Sequence, residues 1–311
     1  MARNPRRPRE IKRSTEAADA AVVSRPVVRR HDPRQAELFR TEFIPPCKPT
    51  LVTDPPTAKG WAFEIKHDGY RMQAHVNAGT VRLFTKSGLD WAERVPKIRS
   101  TLERLPVEAA VIDAEAVMVG EDGISDFFAL HSALAKKRAP HAFLYAFDLL
   151  HLDGQDLREL PLDERRLLLE DLLLRAGEPE AIRFSENVDG DPGDVVAAAC
   201  RMGLEGVVAK RQDAHYRSGP SKSWLKVKCT QVGTFGVTAY LPGSRSLDLA
   251  ELKDGDLVSV GSVGAGLSER AADVIRARIA AEGFALVKVE CRGRTPSGNL
   301  RHPALKGVAS G

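Results

Sequence analysis

The stretch Glu64-Ile65-Lys66-His67-Asp68-Gly69 sets a lysine at the end of an apolar run, just before an Asp-Gly turn. A lysine amine in such a place is a candidate nucleophile. Burial and neighbouring cations disfavour its charged form, which exposes a free amine able to attack phosphorus. Taken alone, the pattern K-x-D-G also fits a lysine on a surface hairpin turn. Residues further along supply what a phosphoryl-transfer site needs. Asp113 and Glu115 are two apart and share one side of a strand. Glu205 and Lys210 flank the apolar run Val207-Val208-Ala209. Lys226 and Lys228 are again two apart, on one strand face. Mg2+ takes hard oxygen ligands, one or two carboxylates beside phosphates, and fixed cations stabilise charge that develops during transfer.

These residues need strands to hold them. Trp61 to Lys66 reads as a strand ending at the His67-Asp68-Gly69 turn. Tyr70 to Val76 and Val81 to Phe84 continue as strands joined at Asn77-Ala78-Gly79. Ala109 to Val119, Phe143 to Leu150, Gly206 to Lys210 and Trp224 to Lys228 are further strands. Helices are expected over Arg94 to Leu105, Phe127 to Lys137, Leu162 to Arg175 and Asp194 to Met202, where apolar residues recur at helical spacing. The prolines from Pro45 to Pro56 mark an extended approach segment. From Val232 onward, short strands alternate with glycine turns around one helix, Ser268 to Glu282. That texture suggests a small β-barrel, with the boundary near Gly233. Gly261 to Gly266 is a lone glycine cluster, read as structural.

Composition bounds the class. The 311 residues are 43% hydrophobic and 28% charged, an ordinary profile able to bury a core. No apolar run approaches the ~20 residues of a membrane span, and no membrane association is expected. The net charge of +4 suits a polyanionic partner. It is front-loaded: residues 1–41 are rich in arginine and nearly free of aromatics, so a disordered arm is expected. That arm is either a contact for DNA phosphates or a solvated tail. The four cysteines are scattered without a C-x-x-C pair, which argues against a disulfide framework or zinc knuckle and for free thiols in a reducing compartment.

The order of the motifs carries a resemblance. The Lys66 stretch is followed by Val111-Ile112-Asp113-Ala114-Glu115, Tyr145-Ala146-Phe147-Asp148, Glu205 to Lys210, and Trp224-Leu225-Lys226-Val227-Lys228. In that order they resemble motifs I, III, IIIa, IV and V of the nucleotidyltransferase superfamily of ATP-dependent DNA ligases and capping enzymes. Phe43-Ile44-Pro45-Pro46, Leu160-Pro161-Leu162 and Tyr216-Arg217-Ser218-Gly219 make the chain similar to the ligase component of bacterial end-joining ligases, over about residues 43–307. The resemblance implies an α+β fold. An adenylation (nucleotidyltransferase) domain of ATP-grasp-like antiparallel sheets with helices would cover 42–231. An OB-fold β-barrel would cover 232–311.

It also implies roles. Lys66 would carry AMP taken from ATP. Glu64 would read the adenine edge, and Phe147 would stack on the base. Arg71 would reach the ribose or the DNA 5′-phosphate. Glu115 would bind ribose or metal, and Glu205 would be a metal ligand for Mg2+ or Mn2+. Lys226 and Lys228, with Lys210 as a weaker candidate, would neutralise the phosphates. Asp113 is expected to be structural. Lys86 stands where an arginine is usual, keeping charge without the bidentate fork. Lys86, Arg71, Arg217 and Arg301 would meet DNA. Arg301 to Gly307 matches only the opening of motif VI, so lysine adenylation is expected to be slow.

The implied reaction seals 5′-phosphate/3′-hydroxyl nicks in double-stranded DNA. The implied setting is bacterial cytoplasm at the nucleoid, in repair or end joining, with a Ku-type end-binding protein as partner and a monomer as default. RNA ligase, capping-type transferase and non-catalytic nick-binding protein are the alternatives. An NAD-dependent ligase is disfavoured, because its nicotinamide-binding domain and four-cysteine zinc site are absent from the sequence.

Overall fold

The computed structural model describes residues 43–240, 243–295 and 297–309. The basic arm expected over 1–41 lies outside the described residues. Strand β1 (Cys47–Leu51) comes first, then β2 (Trp61–Ile65), β3 (Tyr70–Asn77) and β4 (Thr80–Thr85). Helix α1 (Pro96–Leu102) leads to β5 (Ala109–Val117), and helix α2 (Phe127–Ala135) to β6 (Phe143–Leu152) and β7 (Gln155–Asp156). Helix α3 (Leu162–Arg175) precedes β8 (Ile182–Phe184). Helix α4 (Pro192–Arg201) precedes β9 (Gly206–Arg211) and β10 (Gly219–Lys228). The C-terminal part holds β11 (Gln231–Val237), β12 (Leu247–Lys253), β13 (Asp256–Val263), α5 (Glu269–Glu282), β14 (Ala285–Cys291) and β15 (Ala304–Val308).

Local chemistry sets several boundaries. Helix α4 starts where Asp191 accepts hydrogen bonds from the Gly193 and Asp194 amides and Pro192 takes the first helical position, whose missing N–H costs nothing there. Helix α5 starts where the Ser268 hydroxyl accepts from the Ala271 amide. Strand β1 falls within the proline-rich segment expected to be merely extended. It pairs parallel with β10 and breaks register between Pro49 and Thr50, because a proline has no N–H to give a ladder.

Three sheets result. One has the order β1-β10-β9-β2. The second runs β4-β3-β5-β6-β7, with β8 parallel to β6. The third runs β13-β12-β11-β14-β15. One face of the second sheet packs on the helices through Met72, Leu83, Ile112, Leu144, Ile98, Leu130 and Leu169. The first sheet meets α4 through Phe63, Val207, Val195 and Ala199. Between the first two sheets lies a smaller cluster of Cys47, Phe147, Leu150, Tyr216 and Trp224. The mixed α/β architecture expected for the larger domain is present.

The C-terminal sheet buries Phe235, Leu249, Val260, Ile275 and Val287 around α5. Its pairing follows an open path, and among the described residues its edges are joined by one parallel bridge between Ala265 and Ala304. No closed barrel forms among the described residues. The expectation of four free thiols fails. Cys200 and Cys229 form a disulfide with Cα atoms 5.1 Å apart, while Cys47 and Cys291 are free and buried. The packing of α4 on the first sheet brings its last turn beside the end of β10, a proximity that residues 29 apart do not advertise. Among the described residues, no helix is long and apolar enough to cross a membrane.

Candidate active site

A cleft of about 720 Å3 is lined by residues from both of the first two sheets. Of the residues predicted from sequence, Glu64, Lys66, Arg71, Lys86, Glu115, Phe147, Lys210 and Lys226 line it. Lys66 follows β2, and its amide donates to the Gly206 carbonyl at 2.9 Å, which fixes it against the start of β9. Its Nζ lies 2.5 Å from Glu205 Oε2, and its side chain is 22% exposed. The amine therefore faces a carboxylate directly, rather than standing only among cations. Two glycines permit this arrangement. A Cβ at Gly69 would clash with the Ala116 carbonyl, and one at Gly206, whose φ is +146°, with the Val227 carbonyl. Only glycine lets the Lys66 turn lie against β5 and lets Glu205 enter β9 beside β10.

The carboxylates divide by environment. Asp113 is fully buried and accepts both Arg71 Nε (2.9 Å) and Nη2 (2.6 Å) as well as the Tyr216 hydroxyl (2.8 Å). Arg71 Nη1 donates to the Cys47 carbonyl at 2.6 Å. Arg71 thus lies in the cleft wall as a bidentate, preorganised cation. Glu115 is one residue pair along β5. Burial pushes its carboxyl up to about 8, Lys66 and Arg71 oppose this, and Glu205 and Asp113 add to it. Among the described residues no cluster of three or more metal-ligating side chains exists. Glu115 and Glu205 sense each other's charge, and a donor set of two carboxylates beside substrate phosphates suits Mg2+. The residues present fit that ion, and they do not form a closed protein cage.

Lys226 sits in a cationic field. Burial, then Lys66 and Lys228, push its amine below the usual lysine range; Glu205 opposes and Lys86 adds. Lys228 is exposed at the end of β10 and does not line the cleft. Deeper in, Glu64 is buried and accepts from Arg166 Nη1 at 2.8 Å and the Ser185 hydroxyl at 3.1 Å. Lys210, also buried, places Nζ 2.7 Å from Glu64 Oε1 and 4.3 Å from the ring centres of both Phe147 and Trp224. Burial lowers its amine, against the pull of Glu64. Phe147 thus carries cations near its ring, with Arg71 at 5.2 Å.

Other residues near the site had no place in the sequence expectations. His67 stacks on Tyr145 at 3.7 Å and 8°, and burial, Lys210 and Lys66 push its imidazole down to about 4. Val208, Tyr70, Trp91 and Trp224 also line the cleft. Arg292, just beyond β14, pairs with Asp68 and reaches Glu205 at 3.4 Å. A second cavity of about 760 Å3 lies there, and Arg301 lines it, 3.4 Å from Asp122. Arg217 lies apart from both cavities, paired with Glu159 at 2.5 Å. The structure therefore brings Lys66, Glu205, Glu115 and Lys226 together, and leaves Arg217, Arg301 and Lys228 outside the main cleft. Trp224 and Val208 lie inside the quoted motifs and were findable; Arg292 had no local signal.

Known proteins are similar to this chain. Residues 51–228 match the ATP dependent DNA ligase domain. The multifunctional non-homologous end joining protein LigD of Pseudomonas aeruginosa is 40% identical over 199 residues, covering 64% of this chain and 24% of that protein. LigD of Mycobacterium tuberculosis H37Rv is 32% identical over 282 residues, covering 81% of this chain and 36% of that one. The chain thus spans about a quarter to a third of these relatives. The crystal structure of the M. tuberculosis LigD ligase domain superposes with a TM-score of 0.55 at 29% identity, covering 85% of this chain and 94% of the other. A mycobacterial DNA ligase D complexed with ATP and MES gives 0.57 at 30% identity, with the same coverage. With the matched segment spanning more than half of its 311 residues, and the matched strands walling the cleft around Lys66, the chain belongs to the ATP-dependent DNA ligase domain family.

Proposed function

We propose that this protein seals nicks in double-stranded DNA, using ATP, through AMP carried on Lys66. The observation that carries this is the amine itself. Lys66 Nζ opens to a cleft whose wall supplies Lys226, Lys86 and Arg71 as cations and Glu115 as a carboxylate, with Glu205 on the amine. In the first step Lys66 attacks the α-phosphorus of ATP, and pyrophosphate leaves. The DNA 5′-phosphate then takes the AMP, and the 3′-hydroxyl displaces AMP to close the strand. Each step is in-line phosphoryl transfer, so positioning and cation placement supply most of the catalysis.

Glu205 Oε2 accepts a hydrogen bond from Lys66 Nζ and holds it in place. Lys226, held in a field of like charge, is poised to meet added negative charge. Phe147 and Val208 give apolar surface for the base, with Glu64 beside them. Glu115 and Glu205 would hold Mg2+ (or Mn2+), which neutralises phosphate charge when bound. Lys228, Lys86, Arg217 and Arg301 supply further cations for phosphates or DNA, while Lys210, buried against Glu64 and Phe147, lies with the base. The C-terminal sheet and α5 are read as an OB-fold, supported by five antiparallel strands whose edges meet at Ala265 and Ala304. The names of the LigD relatives support a role in end joining; a bacterial cell, a Ku-type protein at the DNA end and a monomeric chain belong to the same proposal.

The test is sealing of a 5′-labelled nicked duplex with Mg-ATP, against a nicked RNA duplex. Ligated DNA from wild type and none from Lys66→Ala is expected. Equal sealing by Lys66→Ala, or sealing of RNA alone, overturns the proposal.

A further inference from the structure

We propose that Arg166 is a positioning residue for nucleotide-base selection, acting through Glu64; this rests on the reading of Glu64 as the residue that meets the base. Helix α3 carries two consecutive arginines, both buried. Arg165 is a structural clip. It grips Asp148 through Nε (2.7 Å) and Nη2 (2.9 Å), and gives Nη1 to the carbonyls of Leu160 (2.6 Å) and Ala214 (3.1 Å). Arg166 instead points its hydrogen bonds at the back of the cleft. Its Nη1 donates to Glu64 Oε1 (2.8 Å) and the Phe147 carbonyl (3.3 Å), and its Nη2 to the Ser185 carbonyl (2.6 Å). Its guanidinium also lies 4.6 Å from the Phe184 ring centre. Arg166 does not line the cleft, yet it touches two residues that do.

The count of acceptor positions on Glu64 gives the consequence. A carboxylate offers about four. Arg166 takes one on Oε1 and the Ser185 hydroxyl takes one on Oε2, while the Lys210 ammonium crowds Oε1 at 2.7 Å as an ion pair that makes no hydrogen bond. One acceptor position on Oε2 is left, among the described residues. A carboxylate paired with two cations accepts and does not donate. The neighbouring Lys210 ammonium donates and does not accept. Together they present an acceptor beside a donor. That order complements a base edge with an amine beside a ring nitrogen acceptor, as in a 6-aminopurine. It opposes a 6-oxo edge, where two acceptors would face each other undischarged. Arg166 fixes the carboxylate by a planar, always-charged fork, which a lysine reproduces only in charge.

The test uses the full chain with Mg2+ and follows AMP or analogue transfer to the protein. ATP is compared with purine riboside triphosphate, which lacks the 6-amino group. Wild type is expected to favour ATP in kcat/KM by about tenfold to a hundredfold, the span of a hydrogen bond to a charged group. In Arg166→Met, and less so in Arg166→Lys, that ratio should fall to a few-fold, through KM rather than kcat. Ser185→Ala should fall between, and it keeps the test open if Arg166→Met does not fold. A folded Arg166 variant with a wild-type ratio overturns the inference while leaving the ligase reading intact. A Glu64→Gln protein with a wild-type ratio overturns the role of Glu64 and this inference with it. No transfer to wild type from any nucleotide overturns the proposed function itself.

Discussion

Reduction of the Cys200–Cys229 disulfide should destabilise the protein by an amount that follows from where it sits. The bond ties the last turn of α4 to the residue after β10, across a sequence separation of 29. Chain entropy for a loop of 29 residues gives about 12 cal/mol/K, or about 3.6 kcal/mol at 25 °C. For a protein of 311 residues that corresponds to a fall in Tm of roughly 5–6 °C. The loop encloses Glu205, β9 and all of β10, and the Cys229 amide donates to the Glu205 carbonyl at 3.0 Å, so the constraint acts on the site's own frame. Cys200 is exposed, so a thiol reductant can attack its sulfur. The assay is thermal unfolding with and without a reductant, for wild type and Cys200→Ser. Wild type should drop on reduction to the value of Cys200→Ser, which should not respond. A wild-type Tm unmoved by complete reduction, checked by thiol titration, would refute the reasoning.

Asp148→Ala leaves the fully buried Arg165 guanidinium without its carboxylate and should cost about 3–5 kcal/mol in denaturant unfolding. Replacing both partners with apolar residues should recover part of that loss. His75 is buried, and desolvation, then Arg82, push its imidazole from 6.5 down to about 4. Between those values the unfolded chain binds the extra proton. The stability that His75 contributes is therefore complete above about 6.5 and lost as pH falls toward 4, by about 3 kcal/mol. Unfolding measured from pH 7 to 4 should show this slope, and His75→Gln should flatten its share. Arg292→Met removes the ion pair to Asp68 and should loosen the C-terminal sheet from the turn after β2, at about 1.5–3 kcal/mol. Faster proteolysis near residues 229–231 is the readout; an unchanged rate would mean other contacts hold the two parts together.

Most of the strands were legible because each is an apolar run with its own turn signals. Helix α3 was placed at its observed bounds from leucine spacing alone. What local pattern misses is pairing at a distance. Strand β1 hides among prolines because its ladder comes from β10, far along the chain. Strand β12 hides because it is half-exposed and interleaved with charged residues, next to an Asp-Gly turn. Arg165 and Arg166 read as the polar side of an amphipathic helix. They are buried only because Asp148 and Glu64, on other strands, stand opposite them. The site followed the same division. Lys66, Glu115, Lys210 and Lys226 were legible from residue type and order, and the two motif glycines explain their own presence by close backbone approach. Arg292 and the disulfide depend on how separate sheets meet, and neither leaves a trace in nearby sequence.

The central claim is that the ε-amine of Lys66 takes up one AMP. Intact-mass analysis of the purified protein after incubation with Mg-ATP, followed by peptide mapping, tests it directly. One AMP per chain is expected, located on Lys66, removed by added pyrophosphate and absent from Lys66→Arg. An unmodified protein, or AMP on any other residue, would contradict the account.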